Sequence, residues 1–108
     1  MSDVAVIHGS CVAIGGHGVL LLGAPGSGKS DLVLRLLDHH GGGISGKLRT
    51  IHLVADDQVV ITRKDSALLM SAPSALAGKL EVRGLGIVDV PAVADVPLDL
   101  VVRLTPSS

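Results

Sequence analysis

Gly23-Ala24-Pro25-Gly26-Ser27-Gly28-Lys29-Ser30 has the spacing G-x-x-x-x-G-K-[ST]. Its neighbours give the pattern its meaning. Residues 19–22, Val-Leu-Leu-Leu, lead in as a buried strand. Residues 30–37 lead out with Leu32, Val33, Leu36 and Leu37 at helical spacing. A strand, a glycine-rich turn and a helix in that order make a cradle for phosphate. Gly23, Gly26 and Gly28 let the backbone turn tightly and aim its N–H groups inward, where they join the positive end of the helix. Lys29 is long enough to reach the β- and γ-phosphates as a point charge, and the Ser30 hydroxyl suits Mg2+. All eight residues, Ala24, Pro25 and Ser27 included, are candidates for nucleotide binding. The pattern names a triphosphate or pyrophosphate ligand and leaves the reaction open. The bland alternative is a glycine-rich strand-to-helix turn that binds nothing.

Outward from this loop, Asp31 falls in the first helical turn, where the helix dipole favours a negative charge. His39 and His40 stand near the helix end, and Gly41, Gly42 and Gly43 can cap and stop it. Residues 41–49 read as a surface loop within one domain, and residues 73–79 as a short helical turn. Apolar runs at 4–7, 11–14, 19–22, 52–55, 59–62, 68–70, 85–90 and 100–104 are rich in Val, Ile and Leu. They are bounded by Gly, Pro or Asp and read as strands. A strand–helix–strand unit predicts a parallel pair with a right-handed crossover, and the later runs predict antiparallel additions. The expected fold is α/β, one domain over residues 1–108, with a mixed sheet and few helices.

Composition narrows the function. Hydrophobic residues make up 47% of the 108, enough for a folded core. Phe, Tyr and Trp are absent, so the core is expected to be built from Val, Leu, Ile and Ala. It also means there is no aromatic platform for stacking single-stranded bases. Net charge is −1 and Lys and Arg are scattered, which argues against a nucleic-acid partner. Cys11 is the one cysteine, so no intrachain disulfide can form, and a small buried hydrophobe is its expected role. The first residues lack a basic segment followed by a long apolar run. The apolar stretch at 85–104 is broken by Asp89, Asp95 and Asp99, so no membrane span is expected. A reducing, cytoplasmic setting is the expectation.

Leu53-Val54-Ala55-Asp56-Asp57 is an apolar strand that ends in two carboxylates, one helix after the phosphate loop. In that place an acidic residue can hold Mg2+, and a second can take the proton of an acceptor hydroxyl. The alternative is an Asp-Asp turn that merely closes a strand. Glu81 is the one glutamate of the chain. It lies two residues from Arg83, so the two would share a face of an extended strand. As an exposed ion pair they would be worth under ~1 kcal/mol. His17, His39, His40 and His52 show no metal-ligand spacing.

Several segments together carry a resemblance. They are His8-Gly9, Gly18-Val19-Leu20-Leu21 running into the phosphate loop, Leu53 to Asp57, and Glu81-Val82-Arg83-Gly84-Leu85-Gly86-Ile87-Val88-Asp89-Val90. Over residues 4–104 the chain resembles the catalytic domain of the HPr kinase/phosphorylase family, and the string from Glu81 to Val90 is its most specific marker. The resemblance implies a phosphate-loop kinase domain related to phosphoenolpyruvate carboxykinase. It implies a serine kinase that uses ATP or pyrophosphate to phosphorylate HPr, the phosphocarrier of the sugar phosphotransferase system. It also implies the reverse phosphorolysis by inorganic phosphate, and hexameric assembly. By the same resemblance Asp56 is the general base toward the serine hydroxyl and the acid in the reverse direction. Asp57, Glu81 and Ser30 are metal-associated, His8 lies near the catalytic aspartate, and Arg83 lies near the phosphoryl groups. Family domains continue into a basic loop and C-terminal helices, which residues 1–108 are expected to lack. Two other functions stay open on the residues: a kinase of a small-molecule acceptor, and a non-catalytic nucleotide-binding module.

Overall fold

Residues 3–24, 28–39, 51–82 and 84–105 are described by a computed structural model of the chain. The strands are β1 (Val4–His8), β2 (Ser10–Ile14), β3 (His17–Leu22), β4 (Ile51–Ala55), β5 (Gln58–Lys64), β6 (Ala67–Ser71), β7 (Lys79–Val82), β8 (Gly86–Asp89) and β9 (Val96–Arg103). The helix α1 (Lys29–His39) follows the phosphate loop, and a single 3-10 turn at Ser74–Leu76 precedes β7. Seven strands form one mixed sheet in the order β1-β5-β6-β9-β3-β2-β4, while β7 and β8 form a separate antiparallel hairpin.

The parallel pair is not the one the strand–helix–strand pattern predicts. β3 and β4 are both antiparallel to β2, which lies between them, so they run in the same direction without pairing. The parallel neighbour of β3 is β9. The reason is local. Gly15 and Gly16, with φ of 57° and 85°, supply the two positive φ angles that a tight two-residue hairpin turn requires. That turn folds β2 onto β3 and occupies the edge a crossover strand would have taken. β7 was concealed inside the motif around Glu81. The apolar stretch at 85–104 divides into β8 and a longer β9, with Asp95 at φ 54° in the turn before β9.

The sheet folds back on itself. Only Gly9 separates β1 from β2, and only Asp56 and Asp57 separate β4 from β5. β1 pairs with β5 and β2 with β4, so the two chain segments form one long antiparallel ribbon with a kink in its middle. At the kink, Gly9 N–H donates to Asp57 O at 3.1 Å. The register slips between Cys11 and Val12, a bulge that bends the ribbon further.

Strand alternation then fills two layers. Cys11, Ala13, Leu20, Val54, Val59, Met70 and Val96 pack inside the fold of the sheet. Val12, Leu21, Ile51 and Leu53 face the other way, against Val33 of α1 and Leu80 of β7. The core is thus aliphatic as expected, with Cys11 and Met70 added. Among the described residues no helix is long and apolar enough to cross a membrane.

Candidate active site

Because β3 and β4 run the same way, the phosphate loop and the paired aspartates leave the sheet at the same edge. There a cleft of about 720 Å3 is lined by His8, Ser10, Lys29, Asp56, Asp57 and Glu81, with Gly23 and Gly28 of the loop in its wall. Pro25, Gly26, Ser27 and Arg83 lie outside the described residues.

Gly28 has φ of 92°, a conformation that L side chains rarely adopt, and its carbonyl accepts the first helical hydrogen bond from Leu32 N–H at 2.9 Å. Gly28 therefore leads into α1 without a break, and the backbone of Lys29 and Ser30 forms the helix start. Asp31 is exposed in that first turn. Lys29 is half-buried, and its Nζ donates to Gly23 O at 2.6 Å and Ala24 O at 3.2 Å. The ammonium is thus held against the two carbonyls that follow β3.

Asp56 is buried, with 7% of its surface exposed, and two donors reach its carboxylate. Ser10 Oγ donates to Oδ1 at 2.9 Å and Glu81 N–H donates to Oδ2 at 3.3 Å. One donor comes from the sheet and the other from the β7–β8 hairpin. Leu80, next to Glu81, is fully buried against the sheet and anchors that hairpin. Asp57, by contrast, is exposed and has φ of 74°. Gln58 N–H donates to Asp56 O at 2.9 Å, so Asp57 is the central residue of a γ-turn of the strained, positive-φ hand. The turn sends the two neighbouring carboxylates to different places: one is buried and held by donors, the other lies in the open cleft.

His8 stands beside Asp57, with Nδ1 4.0 Å from Oδ1. Both groups are exposed, so the pair contributes little to stability. The Glu81 carboxylate is exposed on the cleft wall, while its main-chain N–H serves Asp56. Among the described residues no three His, Cys, Asp or Glu side chains converge on a metal position. A nucleotide-bound Mg2+ asks for less, namely one or two carboxylates plus phosphate oxygens and waters. Asp56, Asp57 and Glu81 lining one cleft fit that demand.

Sequence reasoning passed over Ser10. A lone serine heading an apolar strand looks like a strand boundary, and nothing local marks its bond to a residue 46 positions away. Cys11, the next residue, turns into the core, where its Sγ lies 3.7 Å from Met70 Sδ. Burial pushes its thiol from 9.0 up to about 12, which leaves it inert as a nucleophile.

Comparison with known proteins points to one family. The family described as HPr Serine kinase C-terminal domain matches residues 1–96. The HPr kinase/phosphorylase of Clostridium acetobutylicum is 44% identical over 86 residues, covering 80% of this chain and 25% of the relative. That of Chlorobium phaeovibrioides is 44% identical over 87 residues, covering 79% of this chain and 23% of the relative. The structure of the Hpr(Ser) kinase/phosphatase from Coxiella burnetii superposes with a TM-score of 0.78 at 28% identity. That match covers 92% of this chain and 64% of the other. The chain spans about a quarter of the length of these curated relatives.

Proposed function

From the premise that this chain belongs to the HPr serine kinase C-terminal domain family, we propose that it transfers a phosphoryl group from ATP or pyrophosphate to a serine of HPr, and reverses the transfer with inorganic phosphate. The observation that carries the reading is the cleft itself, in which Lys29 of the phosphate loop and the buried carboxylate of Asp56 face one space. A loop and lysine alone would suit any phosphate-loop protein. A buried carboxylate held by donors just past the end of β4 is what an acceptor hydroxyl needs.

In the forward direction the loop N–H groups and Lys29 bind the phosphates and offset the charge that spreads over the transferred group. Asp56 orients the serine hydroxyl and takes its proton as the serine oxygen attacks the γ-phosphorus. The bond from that phosphorus to the bridging oxygen breaks, and ADP leaves. In the reverse direction a phosphate oxygen attacks the phosphoserine phosphorus. The serine oxygen leaves, Asp56 returns the proton to it, and pyrophosphate is released. Ser30, Asp57 and Glu81 would hold Mg2+, which supplies charge neutralisation at the phosphates. Arg83 belongs to the same proposal, as a cation near the phosphoryl groups, and His8 as a neighbour of the carboxylates. We extend the reading to a cytoplasmic setting, which the lone cysteine fits, and to hexameric assembly, which the family resemblance implies.

The test is intact-mass spectrometry of HPr after incubation with this protein, Mg2+ and ATP. One phosphoryl group gained on a serine, and removed again by inorganic phosphate with release of pyrophosphate, supports the reading. Unmodified HPr, with Mg-ATP binding intact by calorimetry, refutes transfer to HPr and leaves a nucleotide-binding module.

A further inference from the structure

Ser10 and Asp56 are the two buried polar side chains among the described residues, and they are bonded to each other. We propose that Ser10 is a positioning residue: its hydroxyl fixes the carboxylate of Asp56 in the orientation from which it receives the acceptor's proton. The inference rests on the reading of Asp56 as general base.

Only 1% of Ser10 is exposed, at the head of a strand whose next three residues are buried and apolar. An alanine would fill that place without a polar atom to satisfy. A hydroxyl buried there needs a partner, and the partner is Oδ1 of Asp56 at 2.9 Å. An ionised carboxylate can only accept, so the hydroxyl donates and its proton is committed to Asp56.

The two donors on Asp56 have different origins. Glu81 N–H, at 3.3 Å from Oδ2, belongs to the β7–β8 hairpin, which is separate from the seven-stranded sheet. Ser10 belongs to the central ribbon, one residue after the Gly9 N–H that holds Asp57 O. The segment Gly9-Ser10 therefore grips the aspartate pair twice, once by main chain and once by side chain. The shorter bond comes from the sheet. Without the hydroxyl, Asp56 would lose the donor that the sheet itself provides, and its carboxylate would be held less tightly in this orientation. A displacement of about 1 Å at a catalytic group can cost on the order of a hundredfold in rate.

The experiment compares wild type, Ser10→Ala, Ser10→Thr, Asp56→Asn and the double variant Ser10→Ala/Asp56→Asn in steady-state phosphorylation of HPr. Ser10→Ala is expected to lower kcat about 10- to 100-fold, while KM for HPr and the Kd of Mg-ATP stay within about twofold. Ser10→Thr, which keeps the hydroxyl, is expected to recover most of kcat. Ser10→Ala is expected to add no further loss to Asp56→Asn, because its effect passes through that carboxylate. Wild-type kcat in Ser10→Ala overturns the role. So does a loss that Thr fails to restore, or one that repeats in full on the Asp56→Asn background. Wild-type activity in Asp56→Asn sinks the general-base reading instead. Wild type unable to phosphorylate HPr at all sinks the proposed acceptor, and with it the role given to Ser10.

Discussion

Replacing Asp57 in turn by glycine and by alanine separates its backbone role from its charge. Asp57 has φ of 74° and cannot relax, because Gly9 N–H holds its carbonyl and the Gln58 N–H to Asp56 O bond closes the turn around it. A side chain with a Cβ costs about 1–2 kcal/mol in this left-handed region. Aspartate tolerates the region better than alanine does, since its short polar chain can bond locally. Glycine escapes the steric cost but gives up about 0.5–1 kcal/mol of backbone entropy on folding. The difference leaves Asp57→Gly more stable than Asp57→Ala by about 0.5–1 kcal/mol. For a domain of this size that is a gap of about 2–8 °C in Tm. Both variants lack the carboxylate, so their affinity for Mg-ATP should fall to the same extent. Thermal unfolding followed by circular dichroism measures the first quantity and calorimetric titration the second. An alanine variant that melts at or above the glycine variant would refute the strained-turn account. Unequal affinities for Mg-ATP would refute the separation of backbone from charge.

Two further predictions follow from side chains with clear surroundings. Lys29→Ala removes a charge-assisted donor to phosphate worth roughly 1.5–3 kcal/mol. The Kd for Mg-ATP should therefore rise about 10- to 100-fold by calorimetry, and an unchanged Kd would place the phosphates elsewhere. For Cys11, the folded-state value of about 12 lies above 9.0, so the unfolded chain loses its thiol proton first. The contribution of this group to stability is fully present below pH 9.0 and is lost as pH rises toward about 12. Native protein should resist iodoacetamide at about pH 8 while the urea-unfolded chain is alkylated, and rapid labelling of the native form would show the thiol to be accessible.

The helix after the glycine-rich motif was legible because its signals are local. Gly28, Lys29 and the spacing of Leu32, Val33, Leu36 and Leu37 act within one turn of one another, and α1 forms over Lys29–His39 as that spacing demands. The Asp-Asp pair was legible for the same reason, as a polar end to an apolar strand. Sheet order was not. The parallel partnership of β3 with β9 depends on segments separated by most of the chain. The pattern around the loop pointed to β4 instead, because nothing in it revealed that the Gly15-Gly16 turn had already taken that edge.

Inside the candidate site residue type alone does not separate Asp56 from Asp57, and the difference between them is made by contacts. Both are aspartates at the end of one strand. The γ-turn buries one beneath Ser10 and Glu81 N–H and leaves the other exposed beside His8. The turn exists because β4 must continue into β5 while β2 continues into β1, and the kink between them is held by the Gly9 N–H to Asp57 O bond. The folding back of the sheet is thus what makes two like carboxylates unlike. A change at Gly9, itself in the cleft wall, would act on the chemistry through this joint as well. An added Cβ there would lie 2.9 Å from Leu21 O, at the strand that leads into the phosphate loop, so the joint of the ribbon and the entry to the loop cannot shift independently.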